Sequence, residues 1–283
     1  MATMVQTGGD VKKTIINGVE ANSNIFGVEM STLPYDFSFG SATVFNDKIH
    51  IFGGASSPIW TNHYEWDGAW VKSTDLPYGF FRGGDAVILN NEMHMLGSEY
   101  NNPTGHYKWN GTQWISVSTL PYNMCYGCAV VYNNEIHIMG GYYARTAHYK
   151  WDGSQWTSVS TLPYSFSWGS AVVYDNEIHI LGGTYGNTSH YKWDGTQWTS
   201  VSTLPYSLDS GSAVIYDNEI HILGGNSANH YKWDGSQWIN VPTLPYNFGT
   251  GRAVIYNNGI HILGGVDDLR KHYKIQKSVF AIY

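Results

Sequence analysis

The chain has 283 residues, of which 42% are hydrophobic, 16% aromatic and only 13% charged. That balance speaks against a disordered chain and a helical bundle, and suits packed sheets of aromatic and β-branched side chains. The net charge is −7, with no basic run longer than the pairs Lys12–Lys13 and Arg270–Lys271, so the phosphate-neutralising patch of a general nucleic-acid binder is missing.

Residues 1–24 are polar, rich in Gly, Asn and Thr, and read as an N-terminal tail. They lack the apolar stretch of a secretory signal. No apolar run approaches the roughly 18 residues of a membrane span. The expected location is therefore cytoplasmic or particle-associated.

After the tail comes an isolated apolar stretch, Ile25 to Met30. A repeat follows. Leu-Pro-Tyr recurs six times, with prolines at Pro34, Pro77, Pro121, Pro163, Pro205 and Pro245. Each copy is followed by a turn and a run such as Ala171 to Tyr174. Next come an Asn/Asp dipeptide, a run such as Glu177 to Leu181, a loop of varying length, His190 to Trp193, Asp-Gly and Gln197 to Val201. Each unit thus holds four short strands divided by hairpin signals. Four antiparallel strands every 40 to 45 residues are the mark of a propeller blade. The sixth unit stops after His272-Tyr273-Lys274-Ile275, one strand short. Ile25 to Met30 is expected to supply that strand and close the ring, the rival being the tail Val279 to Tyr283.

The units resemble kelch repeats over residues 31 to 275. The resemblance rests on the glycine pairs Gly53-Gly54, Gly140-Gly141, Gly182-Gly183, Gly224-Gly225 and Gly264-Gly265. It rests also on the spaced pairs Trp109/Trp114, Trp151/Trp156, Trp193/Trp198 and Trp233/Trp238, with a shortened Trp66/Trp70. Repeat two departs with Gly97-Ser98. The expected fold is all-β: a single six-bladed kelch-type β-propeller over residues 25–283, with four antiparallel strands per blade. Such a resemblance speaks to fold and little to function.

All twelve histidines fall at two repeat positions, one set beginning at His50 and the other at His63. Each position recurs once per blade, so both sets read as scaffold and no metal is expected. Cys125 and Cys128 occupy slots that hold Ser167 and Ser170 in repeat four, and read as serine replacements rather than a redox pair. Kelch-fold copper oxidases need a converging set of Tyr, Cys and His, which nothing here marks. No nucleophile–base pair stands out, and no cofactor is expected.

Comparing the repeats with one another separates scaffold from site. The turns between first and second strands (Asn133-Asn134, Asp175-Asn176 and their equivalents) barely change, nor do the Asp-Gly turns between third and fourth. Antiparallel order puts both on one face. The connections on the other face vary and carry aromatic and charged residues, the composition of binding surfaces. The candidate ligand-binding residues are Phe39, Trp60, Phe81, Arg82, Tyr100, Tyr126, Tyr142, Arg145, Trp168, Tyr185, Asp209 and Arg252. Because the aromatic bias is strongest in repeats one to four, the site is expected off-centre over those blades. The expected function is a monomeric, non-catalytic module that binds a glycan or protein surface. The alternatives are a small-substrate enzyme using Asp85, Asp209, Arg82 and Arg252, or a structural or receptor-binding part of a phage tail or similar particle.

Overall fold

A computed structural model describes residues 13–16, 19–22, 25–54, 59–80, 82–99, 102–184 and 186–277. Those residues form six four-stranded antiparallel sheets and a separate two-stranded one, in which Lys13–Ile16 pairs with Val19–Asn22. The only helix among them is the short 3-10 turn Ile59–Thr61. The architecture is a six-bladed β-propeller.

Blade four shows how a repeat folds. Ser170–Tyr174 is its inner strand, followed outward by Glu177–Leu181, His190–Trp193 and Trp198–Ser200. The first hairpin turns at Asp175-Asn176, where both residues have positive φ, 49° and 59°. That is the two-residue turn whose twist matches paired strands, and Asn and Asp tolerate it. The last hairpin turns at Asp194-Gly195, where the Asp194 carboxylate accepts the Thr196 and Gln197 amides at 2.7 and 2.9 Å. Both turns lie at the same end of the blade, which is the constant face.

The inner strands of neighbouring blades touch around the axis, and that of blade six meets that of blade one. In the sixth sheet Ile25–Glu29 is the outer strand, pairing antiparallel with His272–Lys277. Val279 to Tyr283 lies outside the described residues.

The core lies between blades. Phe37, Phe80, Met124, Phe166, Leu208 and Phe248 come three residues after each Leu-Pro-Tyr proline and are fully buried. Phe166, for example, packs with Ile178 and Ile180 of its own blade and with Val130 and Met139 of blade three. The first glycine of each pair exists for this junction. Gly140 has φ +63°, and a Cβ there would lie 2.2 Å from the Phe166 carbonyl oxygen. The φ alone disfavours other residues, and the carbonyl leaves no room for one. Gly97 meets Met124 in the same way, so repeat two keeps the glycine that matters and departs only at the second.

The histidines pair within each blade. His179 Nδ1 lies 2.8 Å from His190 Nε2, and each other blade has the same contact at 2.8 or 2.9 Å. The two positions are diagonal neighbours on one sheet face, since His179 sits opposite Lys192, two residues on from His190. Treating the two sets separately in the sequence hid this pairing. His190 also sets its ring edge-on to Trp233 of the next blade, at 5.5 Å.

Candidate functional site

The mouth of the axial channel, on the varied face, is built on a ring of backbone hydrogen bonds. The Phe39 amide donates to the Thr250 carbonyl at 2.7 Å, Thr250 to Ser210 at 2.8 Å and Ser210 to Trp168 at 2.8 Å. Trp168 donates to Tyr126 at 2.9 Å, Tyr126 to Gly83 at 2.7 Å and Gly83 to Phe39 at 3.2 Å. All six residues sit at left-handed φ, between 57° and 73°. The ring thus satisfies one amide and one carbonyl per blade where no sheet neighbour exists.

This corrects one sequence assignment. Counting from Leu-Pro-Tyr put Arg82 in the slot of Phe39 and Tyr126. In the structure Gly83 takes that slot and Arg82 is an extra residue ahead of it, itself at φ 47°. The extra residue lies between the Leu-Pro-Tyr and the strand starting at Asp85, where repeat two is one residue longer than the others.

Three ring residues carry large aromatic side chains, and these converge. Tyr126 stacks on Trp168 with centroids 3.6 Å apart, and Phe39 meets Trp168 edge-on at 5.4 Å. The Arg82 guanidinium lies 5.2 Å from the Phe39 ring centre, within cation–π reach. The Tyr126 hydroxyl donates to Glu99 at 3.0 Å. Burial, with the Glu99 charge second, raises its pKa well above the usual tyrosine range.

Below them is a cavity of about 160 Å³ lined by the first residues of the inner strands, among them Asp85, Cys128, Ser170, Ser212 and Arg252. Those side chains form a belt. Ser170 Oγ accepts the Ala213 amide at 2.9 Å and Ser212 Oγ the Ala253 amide at 3.1 Å. Asp85 accepts the Ala129 amide at 2.9 Å, the Ala86 amide at 3.0 Å and the Ser41 hydroxyl at 3.2 Å. Burial raises the Asp85 pKa, and the Arg252 charge and these donors oppose the rise. Cys128 donates its thiol to the Gly169 carbonyl at 3.2 Å. Burial pushes the Cys125 thiol up to about 12, and the Cys128 thiol is also raised. Both cysteines are free and buried.

The structure divides the residues picked from sequence into groups. Phe39, Tyr126, Trp168 and Arg252 line the axial cavity, with Arg82 over Phe39. Tyr142 and Arg145 sit together on the blade-three loop, the guanidinium 5.3 Å from the Tyr142 ring. Exposed Tyr143 meets Tyr142 edge-on. Trp60 is on the 3-10 turn of blade one, its carbonyl accepting the Phe80 amide at 2.8 Å. Asp209 accepts the Ser210 hydroxyl at 3.0 Å and does not line the cavity. Phe81, Tyr100 and Tyr185 lie outside the described residues. Phe39, Tyr126 and Trp168, from blades one, three and four, therefore meet around the axis. Asp85 and Cys128 were visible in the sequence as differing from the serines of other repeats, but only the fold sets them around one cavity. Among the described residues one group, His50, His63 and Glu65, places three metal-ligating atoms together, and none of the three lines the cavity.

No family model matches the chain, and no curated protein matches it. Among solved structures it is similar to one titled "Structure of YjhT", with a TM-score of 0.76 and 15% identity over 89% of this chain and 99% of that one. At that identity the likeness supports the fold alone.

Proposed function

We propose that this propeller is a non-catalytic binding module and that its channel mouth takes a glycan. One observation carries the reading: Phe39, Tyr126 and Trp168 occupy left-handed ring positions. A bulky side chain at such a φ costs on the order of 1–3 kcal/mol. The same ring is completed in blade two by Gly83 and in blades five and six by Ser210 and Thr250. The scaffold therefore does not need aromatics there. Strain retained at one face of a rigid fold, in residues whose flat faces stack on sugar rings, fits ligand recognition.

The polar floor below suits a ligand that sends hydroxyl groups toward Asp85, Arg252 and the serines. The enzyme alternative is weaker. A general base needs a carboxylate free to reach substrate, and both Asp85 oxygens already accept hydrogen bonds from the scaffold.

The test is a broad glycan array probed with the full chain and with Trp168→Gly. Glycans bound by the first and lost by the second are expected. A blank array from folded protein would overturn the glycan reading and leave a protein surface as the ligand.

A further inference from the structure

In blade one the outer nitrogens of both histidines reach backbone carbonyls at hydrogen-bonding distance. His50 Nε2 lies 3.1 Å from the Phe45 carbonyl oxygen, and His63 Nδ1 lies 3.2 Å from the Thr74 carbonyl oxygen. Between the rings, His50 Nδ1 lies 2.9 Å from His63 Nε2. A carbonyl can only accept, so both outer nitrogens must donate. Two neutral rings have no further proton to give, so the inner nitrogens face each other as bare lone pairs. Something positive belongs between them. In blades three to six the equivalent carbonyls of Ser160, Ser202, Pro242, Tyr256 and Ser31 also lie beside the outer nitrogens, in poorer hydrogen-bonding geometry, so what singles out blade one is the charge beside its pair. In blade two the outer partner of His106 is the Ser118 hydroxyl, which can donate or accept.

The charge beside the pair is also reversed. Opposite the first histidine, blades two to six place Lys108, Lys150, Lys192, Lys232 and Lys274. Blade one places Glu65 opposite His50. The ion pair across the strands is inverted to match, Lys48 to Glu65 at 2.9 Å, where blade three has Lys150 to Glu135.

We infer that blade one holds a divalent metal site of the zinc class, ligated by His50 Nδ1, His63 Nε2 and the Glu65 carboxylate. One ring nitrogen of each histidine and one Glu65 carboxylate oxygen lie within 4.8 Å of one another. Borderline cations favour two imidazoles and a carboxylate, and the ligand rings of such sites commonly donate their other N–H to a carbonyl. Zn–N bonds of about 2.0–2.1 Å at a tetrahedral angle need the inner nitrogens roughly 3.3 Å apart, a few tenths more than now. Ser73 holds one Glu65 oxygen at 2.7 Å. Lys48, partly exposed, swings into solvent when the cation takes the other oxygen, and Glu65 is the side from which ion and water enter. This site is independent of the channel mouth, and it departs from the sequence expectation that the histidines are scaffold alone.

The competing account is a third proton shared by the two rings, with Glu65 as its counter-ion. The test titrates chelator-stripped full chain with Zn²⁺ by calorimetry and with Co²⁺ by visible absorption, alongside the swap Lys48→Glu/Glu65→Lys. That swap restores the ion pair of blades two to five, and Glu65→Gln serves if it fails to fold. One Zn²⁺ per chain and tetrahedral Co²⁺ bands are expected, with affinity weakened about a hundredfold in the swap and at least about tenfold in Glu65→Gln. No binding by the parent chain, equal binding by the variants, or a nitrogen NMR signature of a protonated His50–His63 pair in zinc-loaded protein would overturn it.

Discussion

Two rings of residues encircle the axis, and in five blades they lie two positions apart in the chain. Phe37, Phe80, Met124, Phe166, Leu208 and Phe248 form the lower ring, all apolar and all fully buried. Phe39, Gly83, Tyr126, Trp168, Ser210 and Thr250 form the upper one, where size and polarity change from blade to blade. Both rings face the same backbone geometry six times over. The lower one fills a junction closed on every side by the next blade, so packing dictates its chemistry. The upper one has to supply only an amide, a carbonyl and a left-handed φ. Its side chains are left to another purpose, and three are larger than that φ favours.

The contrast is sharpest for the features all blades share, and the largest expected effect is on acid stability. Burial depresses every described histidine below the ordinary 6.5, the second of each pair to about 3 or 4. With folded values below the unfolded one, this stability is present above pH 6.5 and lost as pH falls toward 4, because the unfolded chain takes up protons that the folded one refuses. Even one refused proton per pair amounts to about 7 kcal/mol for each pH unit across blades two to six. That is comparable with the whole stability of a typical domain. Thermal melts should collapse between pH 6.5 and 5, and a flat profile over that span would show that the pairs accept protons while folded.

Next come substitutions in the two rings. Phe166→Ala should lose about 3–5 kcal/mol in urea unfolding, the usual cost of emptying a buried aromatic site. Gly140→Ala, which drives a Cβ onto the Phe166 carbonyl at positive φ, should lose about 3 kcal/mol. Trp168→Gly, two residues from Phe166, should change stability by no more than about 1 kcal/mol, since relief of the left-handed φ offsets the lost Tyr126 stack. If Trp168→Gly proved as damaging as Phe166→Ala, the upper ring would be structural and the binding proposal would lose its basis.

Much of this protein was legible before folding. The repeated Leu-Pro-Tyr, the Asn-Asn and Asp-Gly turns and the alternating apolar runs are local signals. Their physics is that of a two-residue turn and a pleated strand, and six copies leave little choice of architecture. The glycine pair was equally visible, though its reason was not: the Phe166 carbonyl that excludes a Cβ at Gly140 comes from the next blade. Three things belonged to tertiary structure. The two histidine sets form pairs because a hairpin brings diagonal neighbours together. Arg82 leaves its slot because the backbone ring closes through Gly83. Residues from blades one, three and four meet at one mouth because the chain closes into a ring. Sequence records which residues each blade spends on its varied face. Only closure around the axis sets Phe39, Tyr126 and Trp168 against one another, since contact between residues more than forty positions apart depends on how all six blades pack.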